Sequence, residues 1–200
     1  MAENNFRIEA PKTRKILVKK DHYREYIEEL EEDFHKRCGY CDAHQLWLDK
    51  RLFHIDHFAP KIKFKKRINN YENLIYSCSY CNLSKSKDWI SECPDTPILN
   101  GIGYLNPRSE DYNEHFSRNE YGEIIPLTSP AKYMYSRLKF YLMRHRIIWS
   151  IDQLDLIGEE IKKIEQEREI PEEMKIKINS FLRKLNNLHR EAYFQLKGGR

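Results

Sequence analysis

Two cysteine pairs, Cys38-x-x-Cys41 and Cys78-x-x-Cys81, enclose side chains that could act on a phosphodiester: His54-Ile55-Asp56-His57, then Asn73, then Asn82 directly after the last cysteine. Two CxxC pairs a few tens of residues apart offer four soft thiolates. That set suits tetrahedral zinc with every position filled by protein, hence a structural ion. The alternatives are free core cysteines or a redox pair, the latter disfavoured because neither pair sits in a βαβ pattern. Metal-assisted phosphodiester cleavage needs a group that takes a proton from water, which a neutral imidazole can do near pH 7. It also needs a hard divalent cation held by oxygen ligands. Asp56 and Asn82 are a carboxylate and an amide. Successive strand residues point to opposite faces, so one of Asp56 and His57 could meet an ion while the other reaches a different part of the site.

The elements that must position these groups can be read from spacing. Residues 1–20 are polar and basic without a sustained period and read as an extended arm. From Asp21, taken as N-cap, Tyr23, Tyr26, Ile27, Leu30 and Phe34 recur at helical spacing, delivering the chain to Cys38, where Gly39 permits a tight turn. Leu52 to Phe58 reads as a strand ended by Pro60, Lys61 to Arg67 as a loop or broken helix, and Tyr71 to Tyr76 as a second strand. A short helix is expected from Cys81 to about Lys87. Pro94 to Pro107 reads as an irregular connection and Tyr112 to Ile125 as a small hairpin turning at Tyr121-Gly122. Pro130 opens a helix whose stripe (Tyr133, Leu138, Tyr141, Leu142, Ile148, Trp149) leads to a second helix ending near Arg168, and Pro171 opens the last, to about Leu196. The final two suit an antiparallel pair. The expected architecture is α+β: arm and helix 1–37, metal-stapled module 38–92, irregular connection with hairpin 93–129, helical region 130–200.

Composition narrows the class. Of 200 residues 40% are hydrophobic, with 13 Tyr and 9 Phe, so a packed core is feasible. No apolar run approaches the roughly 20 residues that span a bilayer, and the N-terminus lacks an apolar signal region, so a cytoplasmic protein without membrane contact is expected. There, five cysteines do not read as a disulfide framework. The chain is only +4 overall, yet residues 38–90 hold nine Lys/Arg against five acids, and residues 130–151 hold five basic groups and no acid. Such local basic fields face polyanions or are ordinary solvated surface.

The run His54 to Pro60, the Glu72-Asn73-Leu74 and the Cys78-Ser79-Tyr80-Cys81-Asn82-Leu83-Ser84-Lys85 segment resemble the HNH (ββα-metal) endonuclease motif. The flanking cysteine pairs resemble that family's zinc-bound subgroup. The resemblance, from about Arg37 to Trp89, implies a nuclease that hydrolyses DNA, with RNA as an open alternative, leaving 5′-phosphate and 3′-hydroxyl ends. His57 matches the general base, Asp56 the metal-binding position before it, and Asn82 the final metal-binding position. Asn73 matches the middle asparagine, which holds the loop that orients the base. With Asn rather than His at the last position, Mg²⁺ or Mn²⁺ is favoured over softer ions. Within the same frame Lys85, Lys87, Lys61 and Lys63 are candidate phosphate contacts or simple solvated lysines. His54 is an extra metal ligand or a packed histidine, His115 and His145 are structural, and Cys93 is a buried thiol.

Further on, Gly103-Tyr104-Leu105-Asn106-Pro107, Tyr112-Asn113-Glu114-His115-Phe116 and Gly122-Glu123-Ile124, followed by Arg137-Leu138 and Arg144, are similar to HNH proteins paired with an ATPase in bacterial anti-phage systems, the Septu-type and retron-associated nucleases. That similarity implies an ATPase partner, with a stand-alone restriction or mobile-element nuclease as the alternative; the C-terminal helix pair is either the docking element for a partner or simply core. The rival from another class is a non-catalytic zinc module serving as a nucleic-acid or protein adaptor.

Overall fold

The computed structural model describes residues 6–14, 18–167, 171–196 and 198. They fall into two compact units, residues 1–142 and 143–200.

In the first unit a 3-10 turn over Tyr23–Tyr26 leads into α1 (Ile27–Asp33). Its cap is His22 rather than Asp21: the His22 Nδ1 accepts from the Arg24 N–H at 3.2 Å. After α1, His35 and Lys36 both take positive φ, turning the chain into a knuckle closed by an Arg37–His44 bridge and followed by α2 (Gln45–Leu48). Strand β1 (Phe53–His57) then pairs antiparallel with β2 (Leu74–Cys78), setting Asp56 opposite Ile75 and His57 opposite Leu74. Helix α3 (Ser79–Lys85) starts directly after β2, two residues ahead of the expected position, so that Cys78 is its N-cap residue. Residues 58–73 between the strands include two 3-10 turns, Lys65–Arg67 and Tyr71–Asn73. The result is a strand, loop, strand, helix unit of α+β type, with α1 packed on β2, whose five residues are all buried.

Two further hairpins complete this unit. Strands β3 (Ile98–Leu99) and β4 (Ile102–Gly103) lie in the stretch expected to be irregular. Their turn is Asn100-Gly101, both at positive φ (53° and 75°), the pair that two-residue hairpin turns favour. Strands β5 (Phe116–Arg118) and β6 (Ile124–Pro126) form a hairpin with Gly122 at φ 77°, shorter than expected because Glu110–His115 is a 3-10 segment rather than strand. Helix α4 (Ser129–Arg137), with Pro130 in its first turn, packs on β4 and β6.

Two expectations change here. Residues Phe6 and Arg7 are not part of a free arm. Phe6 is buried with ring centroids 5.0 Å from Phe116 and 6.0 Å from Tyr112, and Arg7 donates to the Pro107 carbonyl at 2.7 Å. The stripe from Tyr133 to Trp149 does not lie on one helix, because α4 stops at Leu138 and Lys139 adopts φ 56°. The chain then restarts as α5 (Met143–Glu167), followed by α6 (Glu172–Leu196) in the second unit. The division between the two compact units falls after Leu142. Among the described residues no helix is long and apolar enough to cross a membrane.

Because Phe6 closes the aromatic cluster, Phe6→Ala should destabilise the chain by about 3–5 kcal/mol, read as a lower urea midpoint.

Candidate active site

Cys38, Cys41, Cys78 and Cys81 are buried free thiols whose sulfurs all lie within 4.8 Å of one another. A zinc tetrahedron with Zn–S near 2.3 Å has edges of about 3.8 Å, and the Cys41 and Cys78 sulfurs are 3.9 Å apart. These four residues could therefore hold a zinc ion. The first pair sits in the knuckle, where the Asp42 N–H returns to the Cys38 carbonyl (2.9 Å); the second spans the β2–α3 junction. Gly39 is required for close approach, not for its φ: a Cβ there would lie 2.6 Å from the Phe34 ring and 2.8 Å from Ile75. The left-handed residue of this knuckle is Asp42, at φ 63°.

Beside the cysteines opens a cleft of about 420 Å³ whose wall includes Asp56, His57 and Asn82 together with Lys61, Ile62, Leu83 and Lys87. The end of β1 supplies the first two and α3 supplies Asn82, so the ββα geometry brings together residues 25 or more positions apart. Asp56 is nearly enclosed. Its Oδ2 accepts from the Tyr40 hydroxyl at 2.6 Å and pairs with the Lys85 ammonium at 3.0 Å. Burial raises the Asp56 carboxyl pKa, while Lys85 and Tyr40 oppose that rise. Lys85 is fully buried and also donates to the His57 carbonyl at 2.9 Å. One ammonium thus ties the end of β1 to α3 and fixes one oxygen of Asp56.

The His57 Nε2 lies 3.0 Å from the Ile68 carbonyl. A carbonyl only accepts, so Nε2 carries the proton and the neutral ring has its lone pair on Nδ1. Burial, reinforced by the Lys61 and Lys85 cations, pushes the imidazole pKa down to about 4 against the Ile68 hydrogen bond. The Tyr23 ring meets His57 edge-on at 4.7 Å and its hydroxyl accepts from Lys61 at 2.9 Å. Asn73 closes the intervening loop on three sides: its Oδ1 accepts from the Ala59 N–H (2.8 Å), and its Nδ2 donates to the Ala59 and Arg67 carbonyls (3.0 and 3.3 Å). The loop it clips carries Ile68, the partner of His57.

The four lysines separate. Lys61 and Lys87 line the cleft, Lys63 pairs with Glu92 at 2.7 Å, and Lys85 is buried away from any phosphate contact. His54 is exposed and lies outside the cleft wall. Cys93 is exposed, correcting the buried thiol expected from sequence. His115 bonds Thr128 Oγ1 at 2.8 Å, ahead of α4. Tyr40 and Tyr23 were missed as site residues; Tyr40 stands between the metal-spaced cysteines, a position that could have flagged it. In the downstream motifs Tyr104, Tyr112 and Phe116 are core, and Asn113 accepts from Arg7 at 2.9 Å.

Residues 38–88 match the family model for HNH endonuclease. A search of curated proteins and a search of solved structures each returned no match.

Two outcomes follow from the geometry. A high-affinity zinc chelator should abolish the near-UV circular dichroism of the first unit, since metal binding and folding are coupled in such modules. Lys85→Met should cost about 3–5 kcal/mol in urea unfolding, because it leaves the buried Asp56 without its cation.

Proposed function

We propose that this chain, whose residues 38–88 match the HNH endonuclease family model, is a metal-dependent endonuclease that hydrolyses phosphodiester bonds in DNA. The observation that carries this reading is the convergence of His57, Asp56 and Asn82 on one cleft. The donor set fits a hard ion: a carboxylate oxygen and an amide oxygen, in a space large enough for the waters that Mg²⁺ or Mn²⁺ retains. Asp56 and Asn82 would hold that ion, which when bound neutralises charge on the phosphate and on the departing 3′-oxygen.

The protein's own groups do the rest. His57, neutral with its lone pair on Nδ1, takes the proton of the attacking water as general base. Asn73 and the Ile68 carbonyl keep the ring in that tautomer and orientation. Lys85 and Tyr40 hold the Asp56 carboxylate in place and leave its other oxygen for the ion. Lys61 and Lys87 meet the flanking backbone phosphates. The four cysteines carry a structural zinc. The anti-phage setting and the ATPase partner belong to the same proposal, supported by the downstream motif similarity; an adjacent ATPase gene would support them.

The adaptor reading has one observation in its favour: the Lys85–Asp56 pair satisfies a carboxylate oxygen without any ion. Plasmid incubated with Mg²⁺ or Mn²⁺ separates the two. Nicking or linearisation supports the nuclease, and binding without cleavage supports the adaptor. His57→Ala should lower the cleavage rate by at least about 100-fold while zinc content and circular dichroism stay unchanged. Wild-type cutting by that variant would remove His57 as the base, and cutting in excess EDTA would rule out the divalent-ion mechanism.

A further inference from the structure

The family match covers residues 38–88, yet a turn that precedes them supplies part of the surroundings of His57. Tyr23 opens the 3-10 turn Tyr23–Tyr26, and its ring stands edge-on to the His57 imidazole with centroids 4.7 Å apart. One side chain clips this turn to the loop between the strands. Asn69 Oδ1 accepts from the Tyr23 N–H at 3.0 Å, and Asn69 Nδ2 donates to the Asp21 carbonyl at 2.6 Å. Asn69 directly follows Ile68, whose carbonyl accepts from His57 Nε2. Two consecutive loop residues thus hold the imidazole and the phenol that packs on it. His22 packs against the same phenol at 4.6 Å, which limits its own motion.

Tyr23 also holds a cation. The Lys61 ammonium donates to the Tyr23 hydroxyl at 2.9 Å and lies 4.7 Å from the ring centroid. Lys61 is exposed and lines the cleft that Asp56, His57 and Asn82 share. Two other cations of its loop are neutralised by acids: Lys63 pairs with Glu92 at 2.7 Å and Arg67 with Asp95 at 2.6 Å. Lys61 is held instead by a phenol, which orders the long side chain without cancelling its charge. Such a cation suits an anion in the cleft, because binding then has less side-chain freedom to remove.

We propose that Tyr23 is a positioning residue for phosphodiester cleavage: its ring fixes the His57 imidazole, and its hydroxyl fixes the Lys61 ammonium for a phosphate of the substrate. The proposal rests on the nuclease reading and adds to it a residue outside the matched segment. Because ring and hydroxyl serve different groups, substitution can separate them.

Steady-state cleavage of a DNA duplex by the full chain with Mg²⁺, together with NMR of the His57 ring protons, tests this. Tyr23→Phe keeps the ring and loses the hydroxyl. KM should rise about fivefold at unchanged kcat, the mark of a lost contact made equally in ground and transition states. In a Lys61→Met background the same substitution should have no further effect, because the group it acts through is gone. Tyr23→Leu loses the ring as well, so kcat should fall about tenfold and the His57 resonances should move. In Tyr23→Phe those resonances should stay in place. A wild-type KM in Tyr23→Phe, an additive effect with Lys61→Met, or a wild-type kcat with unmoved His57 resonances in Tyr23→Leu would overturn the proposal and leave the nuclease reading standing. A wild-type chain that binds the duplex without cutting it would overturn both.

Discussion

Four cysteine sulfurs from segments remote in the chain gather within 4.8 Å, close enough to share one metal ion. The second thiol of the first knuckle and the first thiol of the β2–α3 junction are separated by a loop whose closure carries an entropic cost. Within that loop lie β1, the Asn73-clipped turn and β2, so the sulfur cluster sets where the strand hairpin and α3 meet. Gly39 shows how tight this junction is: Phe34 and Ile75 already occupy the space that any side chain would need. The knuckle also supplies Tyr40, whose hydroxyl reaches Asp56. That hydrogen bond is one of the links between the cysteine knuckle and the cleft.

The cleft depends in turn on a buried charge. A lysine with no solvent exposure is rare unless paired, and Lys85 is satisfied by the Asp56 carboxylate and the His57 carbonyl together. Adjacent residues of one strand are thus held by one ammonium from the helix that also supplies Asn82. Their electrostatic states diverge under burial. The imidazole stays neutral because the enclosed cationic form is disfavoured, and the carboxylate keeps its charge partners close. Adjacent residues of one strand thus present a neutral imidazole and a hydrogen-bonded carboxylate.

Much of this was legible in the sequence. The two CxxC pairs gather into one cluster, Asp56, His57 and Asn82 line one cleft, and Asn73 clips the loop between the strands. The β3–β4 hairpin could have been found from Asn100-Gly101, a strong turn signal obscured by the surrounding prolines. Other features left no local mark. Lys139 ends α4 in a left-handed conformation without glycine or proline to announce it. Phe6 lies in a polar, basic segment, and Tyr112, Phe116 and Phe140, more than 100 residues away, pack against its ring. Cys93 looks like any core cysteine until its exposure is seen.

Local chemistry determined the element types and the short-range geometry: periodicity, turn residues and ligand spacing act within a few positions of the chain. It also singled out His57, Asp56 and Asn82 as a group, and the fold sets all three on one cleft wall. Only the folded molecule decided which of four lysines is a solvent-facing cleft cation and which is a buried strut, and that two tyrosines belong to the site. Those outcomes turn on desolvation and on contacts between segments tens of residues apart, quantities that no short window of sequence contains.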